Sequence, residues 1–316
     1  MRSTDRRSTW VTFLIVIAAI SANLQTMKHP PHSIIRASIQ LLFAVLAPVA
    51  AADLKPDRSV IYKTVGNTRL HLEIFEPRDL NASDSRSAIV FFFGGGWNGG
   101  STKQFHQQAE TLSNMGMVAF CADYRVKSRN KTTPFECVTD GKSAIRWVRE
   151  HAAELGVDPN KIVASGGSAG GHVAICTDLI TGYEEKGENP EVSSRPNATI
   201  LYNPVIDTTR KGYGAARFDA DQQTTLSPCH QVKEGLAPTI VFHGTKDTTV
   251  PFENAERFTE LMKKHGNECT LVPIVGKGHG SFNSLAFRPK NDKADYDLTM
   301  TRSIDFLRSH GYLENP

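Results

Sequence analysis

At 316 residues the chain has room for one sizeable core, and 40% hydrophobic against 22% charged residues is ordinary globular usage, which excludes a disordered or low-complexity polypeptide. Its 36 basic and 33 acidic residues leave a formal charge of +3, interspersed without a basic stripe, so the charge pattern points away from nucleic acid.

Two short apolar runs come first. Residues 10–22 follow Arg2, Arg6 and Arg7; residues 39–52 follow Lys28 and Arg36 and end in Ala50-Ala51-Ala52, a small-residue cleavage pattern ahead of Asp53. The second run reads as a secretory signal, with Met27 placed where a start would give it a compact basic lead-in. Residues 1–52 are therefore expected to be a leader and 53–316 the folded domain, secreted or periplasmic. Neither run reaches the roughly 18–20 apolar residues that span a bilayer. A membrane anchor formed by the first run is the alternative, and contact with a membrane is expected only through an uncleaved leader. Arg6-Arg7 faintly resembles a twin-arginine leader, but Ser8-Thr9-Trp10 does not continue that pattern.

From residue 60 onward, strand-like and helix-like segments alternate. Residues 60–65 and 70–75 predict an antiparallel pair, 88–93 a buried strand, 104–114 a helix, 118–122 a strand and 137–153 a strong helix. A strand at 162–165, a helix at 171–181, and strands at 199–202, 239–243 and 270–275 follow, with helices at 255–264 and 298–308. Strands this apolar have no wet face. The fold class is α/β: a mostly parallel twisted sheet with helices on both faces. Residues 207–232, rich in Gly, Thr, Asp and Gln, break the rhythm and are either a small lid or a surface excursion.

Ile162-Val163-Ala164-Ser165-Gly166-Gly167-Ser168-Ala169-Gly170-Gly171 is a strand running through glycines into a helix, with Ser168 central to G-x-S-x-G. This is a nucleophile elbow: the serine needs a strained, very tight turn that glycines two before and two after permit, and the turn sets it at a helix N-terminus. Directly after an earlier strand comes Phe93-Gly94-Gly95-Gly96-Trp97, where lipases and esterases carry H-G-G-G. The N–H groups of Gly95, Gly96 and Ala169 are the oxyanion-hole candidates. Phe93 replaces the histidine, so the loop must be organised differently. Trp97 either walls the acyl pocket as a substrate-binding residue or packs under the loop. Asp247 and His279 lie just beyond the last two strands, in the order Ser, Asp, His, and complete a candidate triad in which His279 is the base and Asp247 orients it.

Of the other histidines, His172 reads as packing, His243 as a core residue ending a strand, and His230 as part of the irregular stretch. Arg125, after Asp123-Tyr124, is a candidate partner for Asp140 on the next helix. Cys121, Cys137, Cys176, Cys229 and Cys269 show no metal-binding spacing, so no metal site is expected, and their odd number leaves at least one thiol without a partner in the chain. Asn81, Asn130 and Asn197 head glycosylation sequons.

G-G-G-W, D-Y-R, G-G-S-A-G-G-H, H-G-T-K-D-T-T-V-P and G-K-G-H-G together resemble the bacterial esterase/lipase branch of the α/β-hydrolase family, near the hormone-sensitive-lipase group and the feruloyl and acetyl-xylan esterases. The resemblance covers residues 60–311. It implies the α/β-hydrolase fold and hydrolysis of short-acyl carboxylic esters, on small molecules or polysaccharides, without metal or organic cofactor. An arylformamidase-like amidase and a prolyl-oligopeptidase-like peptidase use the same triad and stay open. A non-catalytic binding protein on this fold would usually have lost a triad member, and none is missing.

Overall fold

The structure, a computed structural model, describes residues 54–81 and 83–315. The leader expected over residues 1–52 lies outside them. Eight strands form one sheet: β1 (Arg58–Val65), β2 (Thr68–Phe75), β3 (Arg86–Phe92), β4 (Val118–Ala122), β5 (Val157–Gly167), β6 (Ala198–Tyr202), β7 (Thr239–Gly244) and β8 (Cys269–Ile274). Their order across the sheet is β1-β2-β4-β3-β5-β6-β7-β8. β1 and β2 pair antiparallel, as the sequence pattern predicts, and β2 joins β4 antiparallel; from β4 to β8 every pairing is parallel.

Five longer helices cover the sheet: α1 (His106–Ser113), α2 (Pro134–Glu150), α3 (Ala169–Leu179), α4 (Phe252–Lys264) and α5 (Lys293–Ser309). Alternate strand residues divide between the two faces, as a two-residue repeat requires. Ala88, Val90 and Phe92 of β3 join the core with α2, α3 and α4, while Ile89 and Phe91 join the opposite core with α1 and α5. No helix among the described residues is long and apolar enough to cross a membrane.

Two helix starts lie earlier than the apolar periodicity implies, because polar side chains cap their first turns. Thr133 and Glu136 form a reciprocal capping box with Pro134 in the first turn, so α2 begins at Pro134 and not at residue 137. The Asp292 carboxylate accepts from the Ala294 N–H at 2.9 Å and starts α5 a full turn before residue 298. β5 is likewise longer than its apolar centre. Its exposed residues 159–161 precede the buried run, and it continues through the glycines to Gly167.

The chain passes from β3 to β4 on one side, then returns to place β5 on the other side of β3. Where strand order reverses in this way, the loops at the strands' carboxyl ends diverge and leave a crevice. Residues 94–97 leave β3 and Ser168 leaves β5 at that point. A polar groove of about 810 Å³, lined by Arg149, Asn160, Pro196 and Leu236, lies instead where β5, β6 and β7 begin. It holds neither Ser168 nor His279.

Arg125 and Asp140 pair as anticipated, at 2.8 and 2.7 Å through two guanidinium nitrogens, and Lys63 Nζ reaches the same carboxylate at 2.7 Å. Asp140 is fully buried and Lys63 nearly so, so each charge depends on the other. All five cysteines are buried and free. Asp140→Asn should strand two cations against the half-buried Glu185 alone, lowering the unfolding free energy by ~3–5 kcal/mol. Urea melts of the two proteins measure the difference.

Candidate active site

Ser168 sits at φ 55°, ψ −122°, a backbone region that a residue with a Cβ enters only under strain of roughly 1–3 kcal/mol. Close approach of three elements holds it there. A Cβ on Gly166 would stand 2.4 Å from the Gly170 carbonyl oxygen, and one on Gly170 only 2.1 Å from that of Phe92. The Ser168 N–H donates to the Tyr202 carbonyl at 2.9 Å, and the Ser168 carbonyl accepts from His172 and Val205 N–H groups, each at 3.1 Å. The side chain is half-buried and open to solvent.

β7 and β8 deliver the other two residues to the same edge of the sheet. His279 Nε2 lies 3.0 Å from Ser168 Oγ, and His279 Nδ1 lies 2.7 Å from Asp247 Oδ2. An ionised carboxylate only accepts, so Nδ1 carries the proton and Nε2 turns its lone pair toward the serine hydroxyl. Asp247 Oδ1 accepts from the N–H groups of Thr249 and Val250 at 2.8 and 3.0 Å. Burial would raise the Asp247 carboxyl. The hydrogen bonds from His243, His279 and Val250 outweigh it and hold the group far below the usual carboxylate range.

Two neighbours of Asp247 escaped the sequence reading. Asn203 Nδ2 donates to Asp247 Oδ2 at 2.8 Å, and His243 Nε2, which donates to the Val250 carbonyl at 3.0 Å, lies 3.3 Å from the same oxygen. His243 is a core residue, as expected, but one packed against a charge. The available signal for Asn203 was its place at the carboxyl end of β6, where an asparagine tolerates the positive φ of 41° found there.

The loop after β3 packs onto the elbow. A Cβ on Gly94 would lie 3.1 Å from Ser168 Cβ, so the backbone of this loop runs directly beside the serine. Among the described residues no protein acceptor takes the N–H of Gly95, Gly96 or Ala169. The work that a histidine would do at position 93 is distributed. Phe93 stacks on Tyr124 with ring centroids 4.2 Å apart, the Tyr124 hydroxyl donates to the Phe93 carbonyl, and Gln104 Oε1 accepts from the Gly94 N–H at 2.6 Å. Lys127 and Ser128 N–H groups bind the Trp97 and Asn98 carbonyls at 3.0 and 2.9 Å, fixing the far side of the loop.

Trp97 is 1% exposed, so its indole packs beneath the loop and beneath residues 207–232. It meets His172 edge-on at 5.0 Å, Phe218 at 6.0 Å and Tyr213 at 5.9 Å. His172 is the packing residue it was read as: fully buried, bonded to the Leu226 carbonyl at 2.7 Å, and lowered by that burial to about 4. Residues 207–232 thus cover the loop beside Ser168 with aromatic side chains, yet contain only the 3-10 turn Ala215–Arg217 and the helical turn Pro228–Gln231. His230 stays within this stretch, bonded to Ser227 Oγ at 2.7 Å. No cluster of metal-binding side chains occurs among the described residues.

Comparison with known proteins agrees with the fold. The BD-FAE family model matches residues 72–210, and that of the prolyl oligopeptidase family residues 196–299. The chain is 27% identical over 245 residues to a probable isoprenylcysteine alpha-carbonyl methylesterase of Arabidopsis thaliana, covering 70% of this chain and 50% of that protein. It is 28% identical over 247 residues to a probable carboxylic ester hydrolase of Mycobacterium tuberculosis, covering 71% and 54%. It therefore spans about half the length of these curated relatives. The solved apo form of Thermogutta terrifontis esterase 2 is 49% identical, with a TM-score of 0.78, over 82% of this chain and 96% of that one. That esterase has also been solved phosphorylated by paraoxon and with propionate or butyrate bound.

The depressed Asp247 carboxyl has a signed consequence for stability. Because its folded value lies below the unfolded one of about 3.9, the unfolded chain binds more protons, and the contribution present above that value is lost as pH falls below it. Thermal melts should show wild type losing stability more steeply than Asp247→Asn as pH drops from about 5 to about 3. Parallel curves would contradict the assignment of that charge.

Proposed function

The chain belongs to the esterase family of the α/β-hydrolases, and from that premise we propose that it is a serine carboxylesterase acting on short-acyl esters through Ser168, His279 and Asp247. The observation that carries this reading is the hydrogen-bonded line from Ser168 Oγ through His279 to Asp247, at 3.0 and 2.7 Å. Ser168 Oγ attacks the ester carbonyl while His279 Nε2 takes its proton. Asp247 stabilises the imidazolium without itself becoming protonated. The carbonyl oxygen, now carrying the charge, moves into reach of the Gly95, Gly96 and Ala169 N–H groups. Each such donor is worth about 2.7–4 kcal/mol in a preorganised, water-poor site. His279 then returns the proton to the departing alcohol, leaving an acyl-enzyme. Water, activated by the same imidazole, releases the acid and restores Ser168.

Short acyl groups suit the crowding beside Ser168, where Tyr213 and Phe218 close over the buried indole of Trp97 under the Gly94–Gly96 loop. The propionate and butyrate named for the Thermogutta esterase fit the same size class. Acetyl groups on plant or algal polysaccharides are the natural esters we favour, since such substrates meet an enzyme outside the cell. Export rests on the apolar run at residues 39–52 and its Ala50-Ala51-Ala52 end. A mature protein beginning at Asp53 by N-terminal sequencing is the expected result, and one beginning well before it would defeat the export reading.

One observation favours a second substrate class: the match of residues 196–299 to the prolyl oligopeptidase family. A single panel separates the readings. Acetyl, butyryl, longer-chain and feruloyl esters, acetylated xylan, an aryl formamide and a peptide should be turned over fastest at the short acyl esters. Paraoxon or a fluorophosphonate probe should label Ser168, and Ser168→Ala should abolish labelling with a loss of turnover on the order of a thousandfold to a millionfold. Absence of label on the folded wild type would remove the enzyme reading.

A further inference from the structure

The loop beside Ser168 and the loop carrying His279 come from opposite halves of the chain, and catalysis as proposed requires their relative position to be fixed to a fraction of an ångström. Two buried amides join them. Gln104 Oε1 accepts the Gly94 N–H at 2.6 Å, Gln104 Nε2 donates to Asn283 Oδ1 at 2.8 Å, and Asn283 Nδ2 donates to the carbonyl of Gly280 at 2.7 Å. Gly280 is the residue after His279. Gln104 is 6% exposed and Asn283 not at all, so water does not compete for these bonds.

The line has a forced direction. It begins at a backbone N–H, which only donates, and ends at a backbone carbonyl, which only accepts, so each amide has one orientation that satisfies both neighbours. Consecutive bonds of the same polarity strengthen one another in a low-dielectric interior. Packing follows the same path: Phe282, the residue before Asn283, lies against Gly167 of the elbow, where a Cβ would come within 2.4 Å of its ring, and parallel to Phe105 at 6.0 Å. The Gly280 carbonyl also accepts from the Asn283 N–H at 3.1 Å and from Asn291 Nδ2 at 2.8 Å.

We propose that Gln104 and Asn283 are positioning residues, a two-amide bridge that sets the oxyanion loop and the His279 loop in one register. Gln104 also occupies the Gly94 N–H, which leaves the N–H groups of Gly95 and Gly96 as this loop's donors to the oxyanion. The proposal rests on the esterase reading for its catalytic consequence, but not for the bridge itself.

Gln104→Met, Asn283→Leu and the double variant, tested with a soluble short-acyl ester, should each lose on the order of tenfold to a hundredfold in kcat while KM moves by less than about threefold. The double variant should lose no more than the worse single one, since either change breaks the same bridge. Gln104→Glu supplies a further readout: as a neutral acid it both accepts from Gly94 and donates to Asn283, but as a carboxylate it only accepts. Its kcat relative to wild type should therefore rise as pH falls, with Gln104→Met flat over the same range. Unchanged kcat, losses that add, or a flat ratio for Gln104→Glu would overturn the proposal. Hydrogen exchange of residues 94–97 decides on the bridge without turnover. Asn283→Leu should speed exchange there although residue 283 is 179 residues from Gln104 in the chain, and no change would sink the bridge even for an enzyme that fails every ester.

Discussion

The structure depends on one constraint: Ser168 must keep a backbone conformation that a side-chain-bearing residue resists. The strain is sustained by neighbours that leave no alternative path. β3, β5 and α3 approach so closely that carbonyl oxygens occupy the space of absent Cβ atoms at Gly166 and Gly170, and the Ser168 backbone is bonded on both sides to β6 and the residues beyond it. The sheet order serves this packing. Because β3 lies between β4 and β5, the loop after β3 is delivered onto the serine rather than away from it.

A second requirement concerns charge. A buried carboxylate is costly unless its lone pairs are occupied, and Asp247 is supplied from three directions: backbone N–H groups of its own turn, Asn203 from β6, and the two imidazoles of His243 and His279. Only His279 is shared with Ser168. The other donors keep the carboxylate ionised and its oxygens oriented, so the pull exerted on the His279 Nδ1 proton does not depend on that bond alone. Asp140 follows the same rule far from the crevice, held by Arg125 and Lys63, where its effect is on stability.

What was legible in the sequence follows from which forces are local. Strand cores and the elbow were readable, since buried runs and close-packed glycines leave a mark within a few residues. Two helix starts were read a turn or more late, at 137 for Pro134 and 298 for Lys293, because capping side chains such as Thr133 and Asp292 carry no apolar signal. Ser168, Asp247 and His279 were nominated by their places after strands, and the structure brings their side chains together. Asn203, His243 and Gln104 were not nominated as members of the site. Each acts through a contact distant in the chain, with Gln104 and Asn283 the extreme case, and no spacing rule in one sequence announces such a pair.

The departure at Phe93 shows how the same loop can be held by other means. An imidazole there would bring a titratable group beside Ser168; Phe93 and Tyr124 bring a stacked pair worth about 0.5–1.5 kcal/mol beyond its buried area and no ionisation in the working range, since burial pushes the Tyr124 hydroxyl well above its ordinary value. Directional restraint is then left to groups whose polarity is fixed: the Tyr124 hydroxyl on the Phe93 carbonyl, the Gln104 amide on the Gly94 N–H, and backbone bonds at Trp97 and Asn98. None of these changes charge between acidic and alkaline conditions. The geometry of the Gly94–Gly96 loop is thereby separated from protonation, and under the mechanism we propose the proton is handed along the line of Ser168, His279 and Asp247 without involving that loop.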